Sequence, residues 1–325
     1  MKNFALTGLA GYIAPRHLQA IKDTGNQLVA AVDPHDSVGI IDQYFPEAGF
    51  FTQYERFERH LEKLKRGRSE QKVDVVSICS PNNLHDSHIR TALRADADAL
   101  CEKPLVLNPW NLDMLEELEQ EHEKNIYTIL QLRVHPSLIK LKSKIDSSPG
   151  DHKHEVDLSY ITSRGLWYHF SWKGDIQKSG GITTNIGIHF FDMLIWLFGP
   201  PAECRVHLHN SLRAGGYLEL EKARVRWFLS IDKDDLPESS RQQQQRTFRS
   251  ITIDEEELEF SGGFTDLHTR VYEETLNGNG FGISDARPSI QLAHDIRHTR
   301  PDPSKGDQHP LTHTAIKNNK KTQVI

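Results

Sequence analysis

Cysteine, membrane-length apolar runs and excess positive charge are all scarce in this chain of 325 residues, and each scarcity excludes something. Only Cys79, Cys101 and Cys204 occur, an odd number with no C-x-x-C spacing. Neither a disulfide framework nor a thiolate zinc site is expected, and small buried thiols are the reading. No apolar run is read as approaching the roughly 18 residues that span a bilayer. Met1-Lys2-Asn3 leads into FALTGLA with no apolar signal core and cleavage site. No membrane partner is expected, and a cytoplasmic location is the reading. Lys and Arg number 39 against 45 Asp and Glu, a net charge of -6. A phosphate backbone calls for a basic face, so nucleic acid is not an expected partner. Any anionic ligand must therefore be held by a local cluster of cations.

What is present is an ordinary soluble composition, 37% hydrophobic and 26% charged, on a chain long enough for two domains. Over the first 130 residues, short apolar runs alternate with amphipathic stretches. FALTGLA (4–10), LVAAVD (28–33), VDVVSICS (73–80), ADALCEK (97–103) and IYTILQL (126–132) read as strands, and 14–23, 54–66, 83–95 and 108–124 as helices. Repeated βα units give a parallel sheet of the Rossmann kind, whose ligands sit at the carboxyl ends of the strands. Residues 131–299 change character. The stretches 154–165, 202–210, 216–231 and 246–260 alternate in twos, as strands with one covered face do. Segments 186–198 and 264–277 carry helical periodicity, and SSRQQQQR (239–246) reads as a polar connector. The expected architecture is α/β: a Rossmann domain over 1–130, an α+β domain with a mainly antiparallel sheet over 131–299, and a flexible polar tail over 300–325.

GLAGYIAPRH, Gly8 to His17, follows a strand and opens a helix. Glycines there let backbone N–H groups approach a pyrophosphate at a helix N-terminus, although G-x-x-G-x-x-A, with Ala14 in the last place, also suits a plain structural turn. Asp33 ends the second strand, where an acid can bind adenosine ribose hydroxyls and repel a 2'-phosphate. NAD is therefore expected over NADP, and a helix cap is the bland alternative. In SICSPNNLH, Pro81 turns the chain outward at the carboxyl edge. Ser80, Pro81, Asn82 and His85 would then lie along the nicotinamide half of the cofactor, or Asn82 or Asn83 would simply cap a helix.

CEKPL, 101–105, ends the following strand, so Lys103 also projects from the carboxyl edge, as an active-site cation or as a solvated rim charge. In the second half, SGGITTNIGIHFFDMLIWLFG (179–199) opens a heavily apolar helix with Gly180 and Gly181, with Asn185 as a candidate cap. His189 shares a polar stripe with Asn185 and Asp192. That stripe, beside a Gly-Gly entrance, favours a functional histidine over a satisfied core one.

The glycine-rich turn, E-K-P at the end of the 97–103 strand and the G-G-x-x-x-N-x-G-x-H helix start together resemble the Gfo/Idh/MocA oxidoreductases, and the resemblance extends to about residue 299. Within that family, GYIAPRH, CSPNNLH, QLRVHPS, YITSRGLWY, SWKGD, TNIGIHFFD, ARVRWFLS and GFTDLH are similar to the UDP-N-acetylglucosaminuronate 3-dehydrogenases. The resemblance implies a large open second sheet and a homo-oligomer, dimer or tetramer. It implies NAD-dependent oxidation of a UDP-sugar acid at its 3-hydroxyl, in making diacetamido uronic acids for bacterial surface polysaccharide. It also implies 2-oxoglutarate as the oxidant that regenerates NAD in place. Gly11, Tyr12, Ile13, Ala14, Glu102 and Gln131 join the implied cofactor contacts. One departure from the broad family is Asn185, where an aspartate is common; it cannot carry charge for a proton relay and is assigned a hydrogen-bonding role.

Oxidising a secondary alcohol requires a base for the hydroxyl proton and a cation near the developing carbonyl. His189 is the expected base and Lys103 the expected cation, with no metal. A diphosphate and a carboxylate need further positive charge, which Arg164 and Lys173 offer beside Trp167, Tyr168 and Trp172, with Arg133 near the domain junction. Ordinary surface cations are the alternative. Another sugar or polyol dehydrogenase would keep Lys103 and His189 without the Arg164 cluster, and a dinucleotide-sensing regulator could lose both; retention of the pair favours an enzyme.

Overall fold

The computed structural model describes residues 1–67, 70–147, 152–258, 266–304 and 306–322. The chain forms two compact units, Met1–His135 with Gly262–Arg287, and Pro136–Ser261 with Pro288–Ile325. The break thus falls a few residues beyond the expected 130, and a late segment returns to the first unit.

In the first unit, β1 (Asn3–Thr7), α1 (Ala14–Asp23), β2 (Gln27–Val32), β3 (Gly49–Phe51), α2 (Tyr54–Arg66), β4 (Val75–Ile78), α3 (His85–Arg94), β5 (Asp98–Cys101), α4 (Trp110–His122) and β6 (Ile126–Thr128) alternate along the chain. The six strands form a parallel sheet in the order β3-β2-β1-β4-β5-β6. Strand order reverses between β1 and β4, and at such a point a crevice opens beyond the strands' carboxyl ends. β4 is buried at every position, which is why its sequence is apolar except for Ser77, whose hydroxyl meets that of Tyr272. α2 buries Phe57, Leu61 and Leu64, one helical stripe. The three-residue β3 is too short to show a period, and the sequence reading misses it.

The second unit contains α5 (Pro136–Ser147), β7 (His154–Thr162), α6 (Leu166–Phe170), α7 (Ile176–Ser179), a π turn over Thr183–Gly187, α8 (Ile188–Phe198), β8 (Pro201–His209), β9 (Arg213–Leu220), β10 (Ala223–Ser230), α9 (Glu238–Gln242), β11 (Thr247–Ile253) and β12 (Glu256–Glu257). After these, α10 (Leu267–Leu276) belongs to the first unit, α11 (Ile283–His298) leads back, and α12 (Pro310–Thr322) closes the chain. The sheet runs β12-β11-β7-β10-β9-β8, antiparallel except between β7 and β10. The stretch 216–231 is two strands, reversing at Glu221-Lys222, a turn that carries no Gly, Pro or Asn to announce it. Residues 259–260 of one expected strand and 264–265 of one expected helix lie outside the described residues.

Two further expectations are corrected. Ile176–Phe198 is long and apolar enough by composition to cross a membrane, and 78% of its most apolar window is buried in the fold. Phe191 of α8 meets Trp227 of β10 edge-on at 5.2 Å, so the run is a core helix. The expected flexible tail is instead in large part α12. Leu311, Ala315 and Ile316 pack against Ile161, Leu208 and Phe228. A Cβ on Gly215 of β9 would lie 2.1 Å from Thr312 Oγ1, so glycine is what admits the helix this close.

Candidate active site

β1 delivers the glycine turn to the carboxyl edge of the first sheet. Gly8 has φ +85°, and a Cβ there would stand 2.6 Å from the Cys79 carbonyl oxygen, so the turn requires glycine twice over. Gly11 N donates to Gly8 O at 3.0 Å, and Ala14 N to Gly11 O at 3.1 Å, winding the backbone into α1. No side chain caps that helix. Pro15 has no N–H, and Ala14 N and Arg16 N already donate to Gly11 O and Ile13 O, so it is the positive end of the helix dipole, flanked by exposed Tyr12 and half-buried Ile13, that suits an anion. Asp33, just past β2, is buried and accepts from Ala10 N and His35 N, both at 2.9 Å. Each oxygen keeps a lone pair for a ribose hydroxyl. Gln131 adds a buried Oε1 with no hydrogen-bond partner. A compact glycine turn, an uncapped helix start, a fixed carboxylate and an orphaned acceptor fit a dinucleotide.

Several side chains expected at the cofactor are bonded within the unit's own network. Ser80 Oγ is 2.9 Å from His88 Nδ1, and burial pushes His88 down to about 3. His85 is fully buried, with Nδ1 2.7 Å from Pro104 O and Nε2 2.9 Å from Ser80 O. Burial lowers its pKa, against the pull of those two carbonyls. Asn82 is buried in a single 3-10 turn, Asn82–Leu84, and neither that turn nor α3 has a side-chain cap, so the expected asparagine cap is not formed. Glu102 Oε1 is 3.1 Å from His17 Nε2 and 2.9 Å from His268 Nε2. Burial alone would push the Glu102 carboxyl up; the hydrogen bonds from the two histidines outweigh it and hold it well below the usual carboxylate range. Lys103 follows at once, beyond the end of β5, and the Lys103–Pro104 bond is cis. Arg133, expected to meet substrate, has Nη1 2.8 Å from Asp285 Oδ1 and its guanidinium 5.5 Å from the Phe281 ring centroid. It ties the returning segment down inside the first unit.

In the second unit, Asn185 lies within the π turn rather than capping a helix, and His189 stands in the first turn of α8. A π turn inserts a residue into the helical ladder and is often found at functional sites. Asn185 Nδ2 donates to the Tyr168 hydroxyl at 3.1 Å. Tyr168 is buried, and burial raises its pKa against the opposing hydrogen bond from Asn185 and the nearby Arg164 charge. Lys173 Nζ lies 4.4 Å over the Trp172 ring, and burial followed by the Arg164 charge lowers its pKa. Arg164 and Trp167 are exposed. Arg164, Tyr168, Lys173 and Asn185 thus form one connected set, a cationic and aromatic surface suited to an anionic nucleotide.

The sequence reading gives no role to His17, His268, Ser77, Tyr272 or Asp285. His17 and His268 do fall in GYIAPRH and GFTDLH, although residues 263–265 of the latter lie outside the described residues. Nothing in one linear sequence tells that both histidines point at one carboxylate.

A model described as oxidoreductase family, NAD-binding Rossmann fold, matches residues 2–129, and one described as oxidoreductase family, C-terminal alpha/beta domain, matches residues 152–235. The WlbA (WbpB) dehydrogenase from Thermus thermophilus, solved in complex with NAD and alpha-ketoglutarate, is 55% identical with a TM-score of 0.91, over 96% of this chain and 100% of that one. Its complex with NAD and UDP-GlcNAcA matches at 54% identity and a TM-score of 0.91, with the same coverage of both chains. The myo-inositol 2-dehydrogenase of Thermotoga maritima is 30% identical over 136 residues, 40% of this chain and 38% of its own length. The chain spans about half the length, or less, of the first curated relatives it matches. With one family model on each unit, and a relative this similar matched from end to end, the chain belongs to the Gfo/Idh/MocA oxidoreductase family.

Proposed function

We propose that this protein oxidises the 3-hydroxyl of UDP-N-acetylglucosaminuronate to the 3-keto sugar nucleotide, in the cytoplasm, as a step toward diacetamido uronic acids of surface polysaccharide. The observation that carries this reading is the 54% identical Thermus thermophilus dehydrogenase, matched over its complete chain and solved with NAD and UDP-GlcNAcA. NAD, when bound, supplies the acceptor for the C3 hydride. Gly11 to Ala14 and Asp33 hold its pyrophosphate and ribose, with Gln131, Pro81 and Asn82 toward the nicotinamide. His189 takes the hydroxyl proton, Asn185 fixes the sugar by hydrogen bonding, and the Lys103 ammonium stabilises oxygen as charge develops. Arg164 and Lys173 hold the anionic groups of the substrate, with Trp167 and Tyr168 as ring contacts. The second oxidant is 2-oxoglutarate, a reading supported by the alpha-ketoglutarate bound to the Thermus thermophilus dehydrogenase. The working form is a homo-oligomer, dimer or tetramer, which sedimentation would measure.

The test is incubation of the purified protein with UDP-N-acetylglucosaminuronate, with and without 2-oxoglutarate, followed by mass spectrometry of the sugar nucleotide. Loss of two hydrogens, one from C3 and one from its hydroxyl oxygen, sustained only with 2-oxoglutarate, is the expected result. No keto product under either condition, or oxidation of myo-inositol alone, would overturn the reading.

A further inference from the structure

The residues on both sides of Lys103 are each held by buried histidines. On the amino side, Glu102 N donates to Ile78 O at 2.8 Å, fixing the backbone to β4. The Glu102 carboxylate meets His17 of α1 and His268 of α10 at a single oxygen. On the carboxyl side, His85 of α3 holds the Pro104 carbonyl. Behind His17 the chain continues: His17 Nδ1 is 2.8 Å from the Tyr272 hydroxyl, itself 2.6 Å from Ser77 Oγ. All of these are buried, and His17, Ser77 and Tyr272 completely so.

Hydrogen-bond polarity follows from the carboxylate, which can only accept. His17 and His268 must both donate through Nε2. His17 Nδ1 then accepts from the Tyr272 hydroxyl, which accepts from Ser77. His268 Nδ1 is buried without a partner, and an unpaired lone pair there is tolerated better than an unpaired N–H. The three ligand-type atoms of His17, Glu102 and His268 lie within 4.8 Å of one another, a spacing a divalent ion could also fill. Contacts of 2.9 and 3.1 Å to one oxygen, with a phenol hydroxyl behind His17, are those of hydrogen bonds.

We propose that His17, His268 and His85 are positioning residues for Lys103, and that α10 returns to the first unit to complete this brace through His268 and Tyr272. The inference rests on the reading of Lys103 as the cation of the oxidation. Its consequence is that the ammonium is aimed by side chains that touch neither substrate nor cofactor.

The test compares His268→Leu with His268→Gln, because the glutamine amide nitrogen can stand where ring Nε2 stands and still donate to Glu102. Turnover of UDP-N-acetylglucosaminuronate should fall about tenfold in His268→Leu, the scale of a modest misplacement of a catalytic group. NAD affinity should stay near wild type, the melting temperature of His268→Leu should fall by a few degrees because Glu102 loses a donor, and His268→Gln should recover most of both losses. Unchanged turnover in His268→Leu, or equal losses in both variants, would overturn the brace. Stoichiometric zinc or another metal in the purified wild type, lost in His268→Gln, would overturn it in favour of an ion site. A readout independent of turnover is NMR of protein carrying 15N-histidine: a slowly exchanging His17 Nε2–H is expected in the wild type and not in Glu102→Leu, which removes the acceptor. If wild type oxidises no sugar nucleotide, the proposed function fails, and this NMR comparison still decides the hydrogen-bond chain: a rapidly exchanging His17 Nε2–H in wild type would sink it.

Discussion

The carboxyl edge of the first unit and the Arg164–His189 region of the second hold their side chains in contrasting ways. Around Asp33, His85 and Glu102, polar groups are buried and bonded to partners inside the unit. Around Arg164, the surface is open: Leu166 is 78% exposed, Trp167 56% and Phe170 89%. A cofactor that binds in one way in every turnover suits a rigid frame, whose hydrogen bonds are made before it arrives. A nucleotide sugar, the substrate proposed, must enter and leave, which suits an exposed cationic, aromatic surface. Changes at the first edge should therefore affect rate or cofactor choice, and changes at the second the capture of substrate.

The largest effect is expected at the two residues proposed for the chemistry. Lys103→Met and His189→Asn should each lower turnover by on the order of a hundredfold or more, while NAD affinity and folding persist. Stopped-flow kinetics with UDP-N-acetylglucosaminuronate measures this. The double variant should lose less than the product of the two, because a base and a cation serving one proton transfer act as a unit. Near-normal turnover in Lys103→Met would reduce that lysine to a rim charge.

Asp33 probes the frame. Removing the carboxylate in Asp33→Ser should weaken NAD binding roughly 10- to 100-fold, the range for hydrogen bonds to a charged group, and should improve NADP by relieving repulsion of its 2'-phosphate. Titration of both cofactors by calorimetry tests it, and unchanged preference would break the comparison.

Arg164→Ala and Lys173→Ala should raise KM for the sugar nucleotide about tenfold with a smaller change in kcat, and the Arg164 effect should shrink at high salt. Because burial and Arg164 lower the Lys173 pKa, its ammonium is lost earlier as pH rises. KM should therefore climb on the alkaline side, and Lys173→Arg should flatten that climb. A fall in kcat with KM unchanged would count against a capture role.

The smallest effect is one of stability. Gly215→Ala inserts a methyl where Thr312 already sits, and overpacking of this kind costs about 1–3 kcal/mol. The melting temperature should drop by several degrees, and the companion change Thr312→Ala should restore part of it by making room.

Much of the fold and part of the site was legible along the chain because the signals are local. The helices over 14–23 and 54–66 coincide with α1 and α2, since apolar spacing, Pro15 and the glycines that follow define them without outside help. The glycine turn, Asp33 and Lys103 were legible for the same reason: each stands where an apolar run ends, and runs of this kind dictate a parallel sheet and its carboxyl edge. The turn at Glu221-Lys222 and the helix α12 were not, because one lacks turn residues and the other is held by Gly215 and Phe228 from another part of the chain.

By itself the sequence determined the alternation of strands and helices, the position of the glycine turn and the strand-end addresses of Asp33 and Lys103, all of which follow from periods of a few residues. Only the tertiary structure decided which polar groups would be buried together. Glu102 meets His17 from 85 residues away and His268 from 166 residues away, Arg133 meets Asp285 from 152 residues away, and the π turn displaces Asn185 from the cap it was expected to form. A buried carboxylate must find donors, but it can take them from any element the fold brings near, and that choice is written in packing rather than in spacing.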